Sequence, residues 1–342
     1  MRVGVGYSEN PDTITAGQRA AVAALKEAQR DAPCDLALLF ATGRRDLKLL
    51  RSAVASVLGP SVPIFGGGTI GAISNYRFGY AGSQVILAAI WLNEVRCEIL
   101  IQSGLEKGEE KAGRGLGRKL AALNVTAATP VLLFYESLNR SLEGPRLFMA
   151  TPLLQGIEEG LGFPPNLVGA GLIKDHITPI GIDRLQTSRQ PYRHNALALV
   201  FSGNLRLDSA VMFGCRPGTG YYTVTKSDRQ VILEINGQPA LYFMDKLLGD
   251  SIRPQDFPFF LNLGINRGDK WAPFNEANYT NRLCLGLDPE RGGLVMSEPD
   301  FVEGAEFQIM FRTLDQDCLP AKAVALFDNL GGRRPVFSTY IN

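Results

Sequence analysis

The segment Val62 to Ser74, VPIFGGGTIGAIS, places Gly66, Gly68 and Gly71 at the GxGxxG spacing that cradles a dinucleotide pyrophosphate. That chemistry also needs a helix starting at the last glycine, so that its amides and dipole meet the phosphates, and an acid about twenty residues on for the ribose. The next residues, AISNYRFGYAGS and then QVILAAIW, have no apolar positions at helical spacing and no such acid. The sequence predicts a glycine turn between strands and not a nucleotide fingerprint. Gly108 to Arg114 has the GxxxxG spacing of a phosphate loop but continues with Arg where Lys and Ser/Thr are required. There is no GxSxG elbow and no HExxH. Cys215 beside Arg216 has the makings of an activated thiolate, yet a cysteine in such a turn reads first as a packing residue. The acid pairs Glu109 and Glu110, and Glu158 and Glu159, read as solvated helix faces.

Small-ligand binding has a firmer physical basis. Two glycine turns, Gly66 to Gly68 and Gly169 to Gly171, let backbone amides approach a ligand with no Cβ in the way. Gly67, Gly68, Thr69, Asn139, Gly169, Gly171, Asp175, Arg216, Thr219 and Tyr221 lie on or beside these turns and the neighbouring strand ends. Arg216 with the threonine hydroxyls would clamp a carboxylate and Asp175 would accept an amine, which together fit an amino acid. Taken singly, each also has a plain structural use in a turn, a cap or an ion pair.

Composition narrows the partners. The 342 residues are 45% hydrophobic and 20% charged, enough for two domains with sizeable cores. Lys plus Arg number 35 against 34 Asp plus Glu, with basic residues at most in pairs, so nucleic acid and anionic membrane are not expected partners. The longest apolar run, VILAAIWL, is far short of the roughly twenty residues that span a bilayer. The chain opens on a strand, RVGVGYS, and not on a basic-then-apolar leader, so export is not expected. Cys34, Cys97, Cys215, Cys284 and Cys318 form no CxxC pair, which suits a reducing cytoplasm without disulfides or zinc. With His176 and His194 as the two histidines, a His-rich metal site is excluded.

The elements that must position these residues alternate between strand and helix. Thr15 to Gln29 and DLKLLRSAVASVLG read as helices, the second with Asp46 as N-cap and Gly59 past its end. CDLALLFAT, VPIFGGG, SQVILAAIW and VRCEILIQSG read as strands, followed by a helix from Glu106 to Leu123 and the strand PVLLFYES. The order then repeats: PVLLFYES echoes DLALLFAT, LLQGIEEGLG echoes LLRSAVASVLG, NLVGAGLIKD echoes VPIFGGGTIG, NALALVFSG echoes SQVILAAIW, and LDSAVMFGCRPG echoes VRCEILIQSGLEKG. The offset grows from Phe40 and Phe134 through Gly66 and Gly169 to Gly104 and Gly214, as in a duplication with insertions and unlike a solenoid. The largest insertion is HITPIGIDRLQTSRQPYRH. From Tyr221 onward the chain reads as a hairpin turning at Ser227 and Asp228, an Asn236-Gly237 turn, a helix between Pro239 and Gly249, and short strands. It ends on PVFSTYIN, which alternates like a strand. The expected fold is α/β: mixed sheets with flanking helices, duplicated over 1–220 as units of about 1–123 and 124–220, then a turn-rich α+β region over 221–342.

This ordered set resembles the FIST family of sensory proteins, in both its N-terminal and C-terminal parts and over nearly the whole chain. The carriers are GVGYS, LALLFAT, PIFGGGTIGAIS, VGAGLIKD and, most specifically, FGCRPGTGYYTVTKSDRQVILEINGQPALYFMDKLLG. Gly67 and Gly68 replace the Cys and Ser of the usual turn, and Ala72 stands where Glu is common. The family normally continues past a Cys-x-Gly-Arg motif that would follow Asn342, so the resemblance implies a chain cut short there. It further implies a cytoplasmic signal-transduction protein that is not an enzyme, binds a small metabolite, amino acids being the usual proposal, and signals in trans to a separate protein. Some members look like haem-dependent nitric oxide sensors, which would make His176 or His194 an axial ligand; otherwise no cofactor or metal is implied. A third reading, from members beside F-box segments, is a protein interaction scaffold without ligand.

Overall fold

The computed structural model describes all residues except 81, 142–143, 173–193, 250–251, 259, 314–317, 334 and 340–342. The chain divides into two compact units: Met1–Phe148, Leu153–Leu207 and Pro335–Asn342 form the first, and Met149–Pro152 with Asp208–Arg334 the second. Among the described residues no helix is long and apolar enough to cross a membrane.

The first half of unit one runs β1 (Arg2–Ser8), α1 (Thr13–Ala28), β2 (Leu36–Ala41), α2 (Leu47–Leu58), β3 (Ile64–Gly68), the hairpin β4 (Gly71–Ile73) and β5 (Phe78–Tyr80), and β6 (Val85–Trp91). Both helices start where a carboxylate satisfies first-turn amides: Asp12 accepts from Thr15 N at 2.7 Å, and Asp46 from Lys48 N and Leu49 N at 2.9 and 3.0 Å. Gly59 closes α2 with a left-handed φ of 110°. The strands form a sheet in the order β1-β6-β2-β3, antiparallel except for the parallel pair β2 and β3. No helix follows β3, in keeping with the rejected nucleotide fingerprint.

The second half repeats the plan: β7 (Arg96–Ser103), α3 (Glu109–Ala122), β8 (Val131–Glu136), the hairpin β9 (Leu138–Ser141) and β10 (Gly144–Leu147), α4 (Ala150–Leu161), β11 (Leu167–Leu172) and β12 (Asn195–Ser202). Its sheet is ordered β7-β12-β8-β11, again with one parallel pair, β8 and β11. Register confirms the duplication: Leu39 lies opposite Gly66, and Leu133 opposite Gly169. β7 therefore matches β1. The fifth sequence echo fails, because 208–214 forms no strand and Gly214 has no counterpart to the strand end at Gly104.

Alternation along each strand separates three apolar layers. Ala37, Leu39 and Ala41 pack under α1 and α2, while Leu36, Leu38 and Phe65 join Phe134, Leu197, Leu199 and Phe201 between the two sheets. Val131, Leu133, Ala196 and Ala198 pack under α3 and α4. Unit one is thus a four-layer α/β/β/α sandwich, which explains why LALLFA is apolar on both faces.

Unit two comprises β13 (Cys215–Pro217), β14 (Tyr222–Asp228), β15 (Val231–Ile235), β16 (Gln238–Pro239), α5 (Ala240–Leu248), β17 (Asn262–Asn266), β18 (Tyr279–Asp288), β19 (Gly293–Met296), β20 (Glu306–Arg312) and α6 (Cys318–Asp328). The ladder β20-β14-β15-β19-β18-β17 closes on itself through β17 and β20, giving a six-stranded antiparallel barrel. Its interior holds Val224, Ile232, Met244, Phe257, Leu263 and Phe307. Asn236 and Gly237 both take positive φ, 50° and 76°, as a two-residue hairpin requires. The preceding hairpin turns later than expected: Ser227 and Asp228 pair with Ile232 and Val231, and Arg229 takes the left-handed position. Residues 335–339 of PVFSTYIN form no strand.

Candidate functional site

β1 is an edge strand, and its outward amides need partners. The Val5 amide donates to the Glu27 carboxylate from α1, whose other oxygen accepts from Asn75 Nδ2 at 2.8 Å. Asn75 sits in the turn between β4 and β5, where the Ser74 hydroxyl is 3.2 Å from both the amide and the carbonyl of Arg77. Edge strand, helix face and turn enclose a cleft of about 540 Å³, lined by Val5, Tyr7, Ser8, Glu9, Asn10, Arg19, Ala23, Glu27 and Ser74 to Arg77. Arg19, Ala23 and Glu27 are spaced at i, i+4 and i+8, so one face of α1 supplies them.

The charges in this cleft balance, with two arginines and two glutamates. Tyr7 donates its hydroxyl to Glu9 Oε1 at 2.6 Å. Desolvation, then that hydrogen bond and the charge of Glu9, push the phenol up from 10.0 to about 12. The Arg19 and Arg77 guanidinium groups have no hydrogen bond or ion pair among the described residues. A ligand carboxylate finds two planar forks there. The second oxygen of Glu9 can accept from an ammonium group.

The residues singled out by the sequence fall elsewhere. Gly67 and Gly68 are buried at the end of β3, and Thr69 comes next, its amide on Ala41 O at 2.9 Å and its hydroxyl on Gly71 O at 2.8 Å. Gly169 and Gly171 lie within β11. β3 and β11 come within 8 Å of each other, Cα to Cα, so the structure does bring the glycine segments together. They are strands and not turns, however, and close backbone packing accounts for Gly66 and Gly169: a Cβ on Gly66 would lie 2.0 Å from Leu39 O, and one on Gly169 would lie 1.9 Å from Leu133 O. Asn139 is in β9 opposite Arg146. Asp175 and His176 lie outside the described residues.

Arg216, Thr219 and Tyr221 belong to unit two. Arg216 is exposed on β13, paired with Phe311 in the ladder. Thr219 O accepts from Gln308 Nε2 at 2.8 Å, Tyr279 donates to Gln308 Oε1 at 2.7 Å, and Asn266 Nδ2 donates to the Tyr221 hydroxyl at 3.0 Å. Thr219 and Tyr221 are therefore each engaged by polar partners on the barrel. Burial pushes the Cys215 thiol up, as its packing role predicts, and the Cys34, Cys97 and Cys284 thiols to about 11, 12 and 11.

His194 opens β12 with a left-handed φ of 63°, its amide donating to the buried Glu136 carboxylate and its Nδ1 3.4 Å from Glu136 Oε2. Phe148 packs against the ring edge-on, centroids 5.1 Å apart. Glu136 thus holds one ring nitrogen of His194 and Phe148 flanks the ring, an arrangement that a core histidine and a metal-ligating one share.

Sequence reasoning missed Glu9, Arg19, Glu27, Asn75 and Arg77. On their own they read as solvated polar and charged residues, and the one available signal was the i, i+4, i+8 set on α1 next to GVGYS.

Among solved structures, the chain is similar to a point mutant of FtsZ from M. jannaschii, with 22% identity and a TM-score of 0.18, over 28% of this chain and 29% of that one. It is also similar to cyanuric acid hydrolase from A. caulinodans, with 11% identity and a TM-score of 0.32, over 60% and 72%. The chain thus spans under a third of the FtsZ chain, and neither likeness carries an argument about fold or activity. No curated protein matches the chain. The family model of the FIST N domain matches residues 35–238, more than half of the chain, from β2 through both α/β halves to β16 in the second unit. That domain is associated with small-ligand sensing in signal transduction. By this match, the chain belongs to the FIST family.

Proposed function

We propose that this protein is a receptor for an amino acid or a related zwitterionic metabolite, which it binds in the cleft at the open edge of β1, and that it signals to a separate protein. The observation that carries this reading is the pair of uncommitted guanidinium groups, Arg19 and Arg77, facing the same cleft as Glu9. The turn that carries Asn75 and Arg77 belongs to a hairpin whose Tyr76, Phe78 and Tyr80 are 89%, 75% and 60% exposed. Ligand contact at that turn would reach an apolar surface suited to a partner, which supports signalling in trans. The free thiols of Cys34, Cys97, Cys215 and Cys284 support a cytoplasmic setting.

Thermal unfolding against a panel of amino acids and central metabolites tests the reading. A selective rise with zwitterionic members, lost in Arg19→Ala, supports it. A flat panel contradicts it.

A further inference from the structure

The strand-end positions of the first cleft recur in the second half. Arg2 lies opposite Trp91 and Arg96 opposite Ser202, so Ser8, Glu9 and Asn10 correspond to Gln102, Ser103 and Gly104. A second cleft, of about 480 Å³, opens over those three residues and along α3. A strand end and a helix thus border a cleft in each half, with different charge, although the turn wall from Ser74 to Arg77 has no counterpart in the second lining.

Lys111, Arg114 and Arg118 line it at i, i+3 and i+7 on one face of α3, and Lys107 joins them from the short 3-10 turn before the helix. Arg114 is committed to Glu110 and Glu159 at 2.6 and 2.7 Å. The side chains of Lys107, Lys111 and Arg118 have no hydrogen bond or ion pair among the described residues, and Glu106 is the one acid in the lining. Three uncommitted cations around one small volume repel each other, and a multivalent anion relieves that repulsion where a zwitterion does not. Gly108, the N-cap of α3, supplies no side-chain cap, but Glu109 and Glu110 already place negative charge in the first turn, so the helix terminus adds nothing to the pull on an anion. The GxxxxG stretch from Gly108 to Arg114 lies on this wall, but it is helical from Glu109 and forms no amide cradle. Recognition falls to the side-chain heads.

We propose that this second cleft binds a small anion carrying two or more negative charges. The inference does not depend on what the first cleft binds.

The test is isothermal titration with inorganic pyrophosphate at about 150 mM salt, where weak surface attraction is screened. Citrate and orthophosphate serve as the multivalent carboxylate and single-phosphate arms. Saturable one-to-one binding of pyrophosphate is expected, weaker by about tenfold or more in a Lys111→Ala, Arg118→Ala double variant and unchanged in Arg19→Ala. Both substituted side chains are exposed, so the variant is expected to unfold at the wild-type midpoint. Absence of pyrophosphate binding, or equal affinity in the double variant, overturns the proposal. Citrate, also multivalent, is expected to bind too, and orthophosphate binding as tightly as pyrophosphate overturns the dependence on charge. Loss of amino acid binding in Arg19→Ala with pyrophosphate binding intact separates the two clefts.

Discussion

Phe40 and Phe134 hold the same place in the two α/β halves of unit one, and their rings meet between the sheets, centroids 5.7 Å apart and planes tilted by 58°. The duplicated element packs on its own copy. Phe134 is 5% exposed, so Phe134→Ala leaves a cavity in the layer shared by both sheets. A loss of about 3–5 kcal/mol is expected in urea unfolding. A loss below about 1 kcal/mol would show that the layer is not the common core.

Gly66→Ala and Gly169→Ala place a methyl at 2.0 and 1.9 Å from the carbonyl oxygens of Leu39 and Leu133. Gly66 also has a φ of 127°, a conformation that alanine rarely takes. Each substitution is expected to cost more than about 3 kcal/mol or to abolish soluble expression. Wild-type midpoints in both would contradict the strand packing described for these residues.

Tyr7 and Tyr279 are held neutral to about pH 12, the first mainly by desolvation with Glu9 assisting, the second by desolvation and its hydrogen bond with Tyr221. Their ordinary value is 10.0, so between pH 10 and 12 the unfolded chain has released protons that the folded chain retains. Stability is therefore fully present below pH 10 and falls as pH rises toward 12. Phenolate absorbance in the native protein should show a late-titrating group, and Tyr7→Phe should remove part of it. If all tyrosines titrate together near 10, the environment assigned to Tyr7 is wrong.

The α/β elements of unit one were legible because their signals are local. Asp46 and Gly59 bound α2, and the apolar runs of β2, β6, β8 and β12 are buried whatever their neighbours. The duplication was legible too, through the echo of LALLFA in VLLFYE, confirmed by the register of Leu39 with Gly66 and Leu133 with Gly169. Barrel closure was not legible, since pairing β17 with β20 joins residues more than forty apart with no sequence mark. The cleft was hidden for a related reason. Arg19 and Arg77 come to line one cleft only when an edge strand, a helix and a distant hairpin turn come together, and each alone is an ordinary surface arginine.

Isothermal titration of zwitterionic amino acids into wild type, Arg19→Ala and Arg77→Ala tests the central claim most directly. The account predicts saturable binding of at least one amino acid to wild type, weaker by about 1.5–3 kcal/mol in each variant, with unfolding midpoints unchanged in the absence of ligand. At a ligand concentration of about a hundred times Kd, the wild type should gain about 2.7 kcal/mol in unfolding free energy. No binding by any amino acid, or equal affinity in all three proteins, would contradict it.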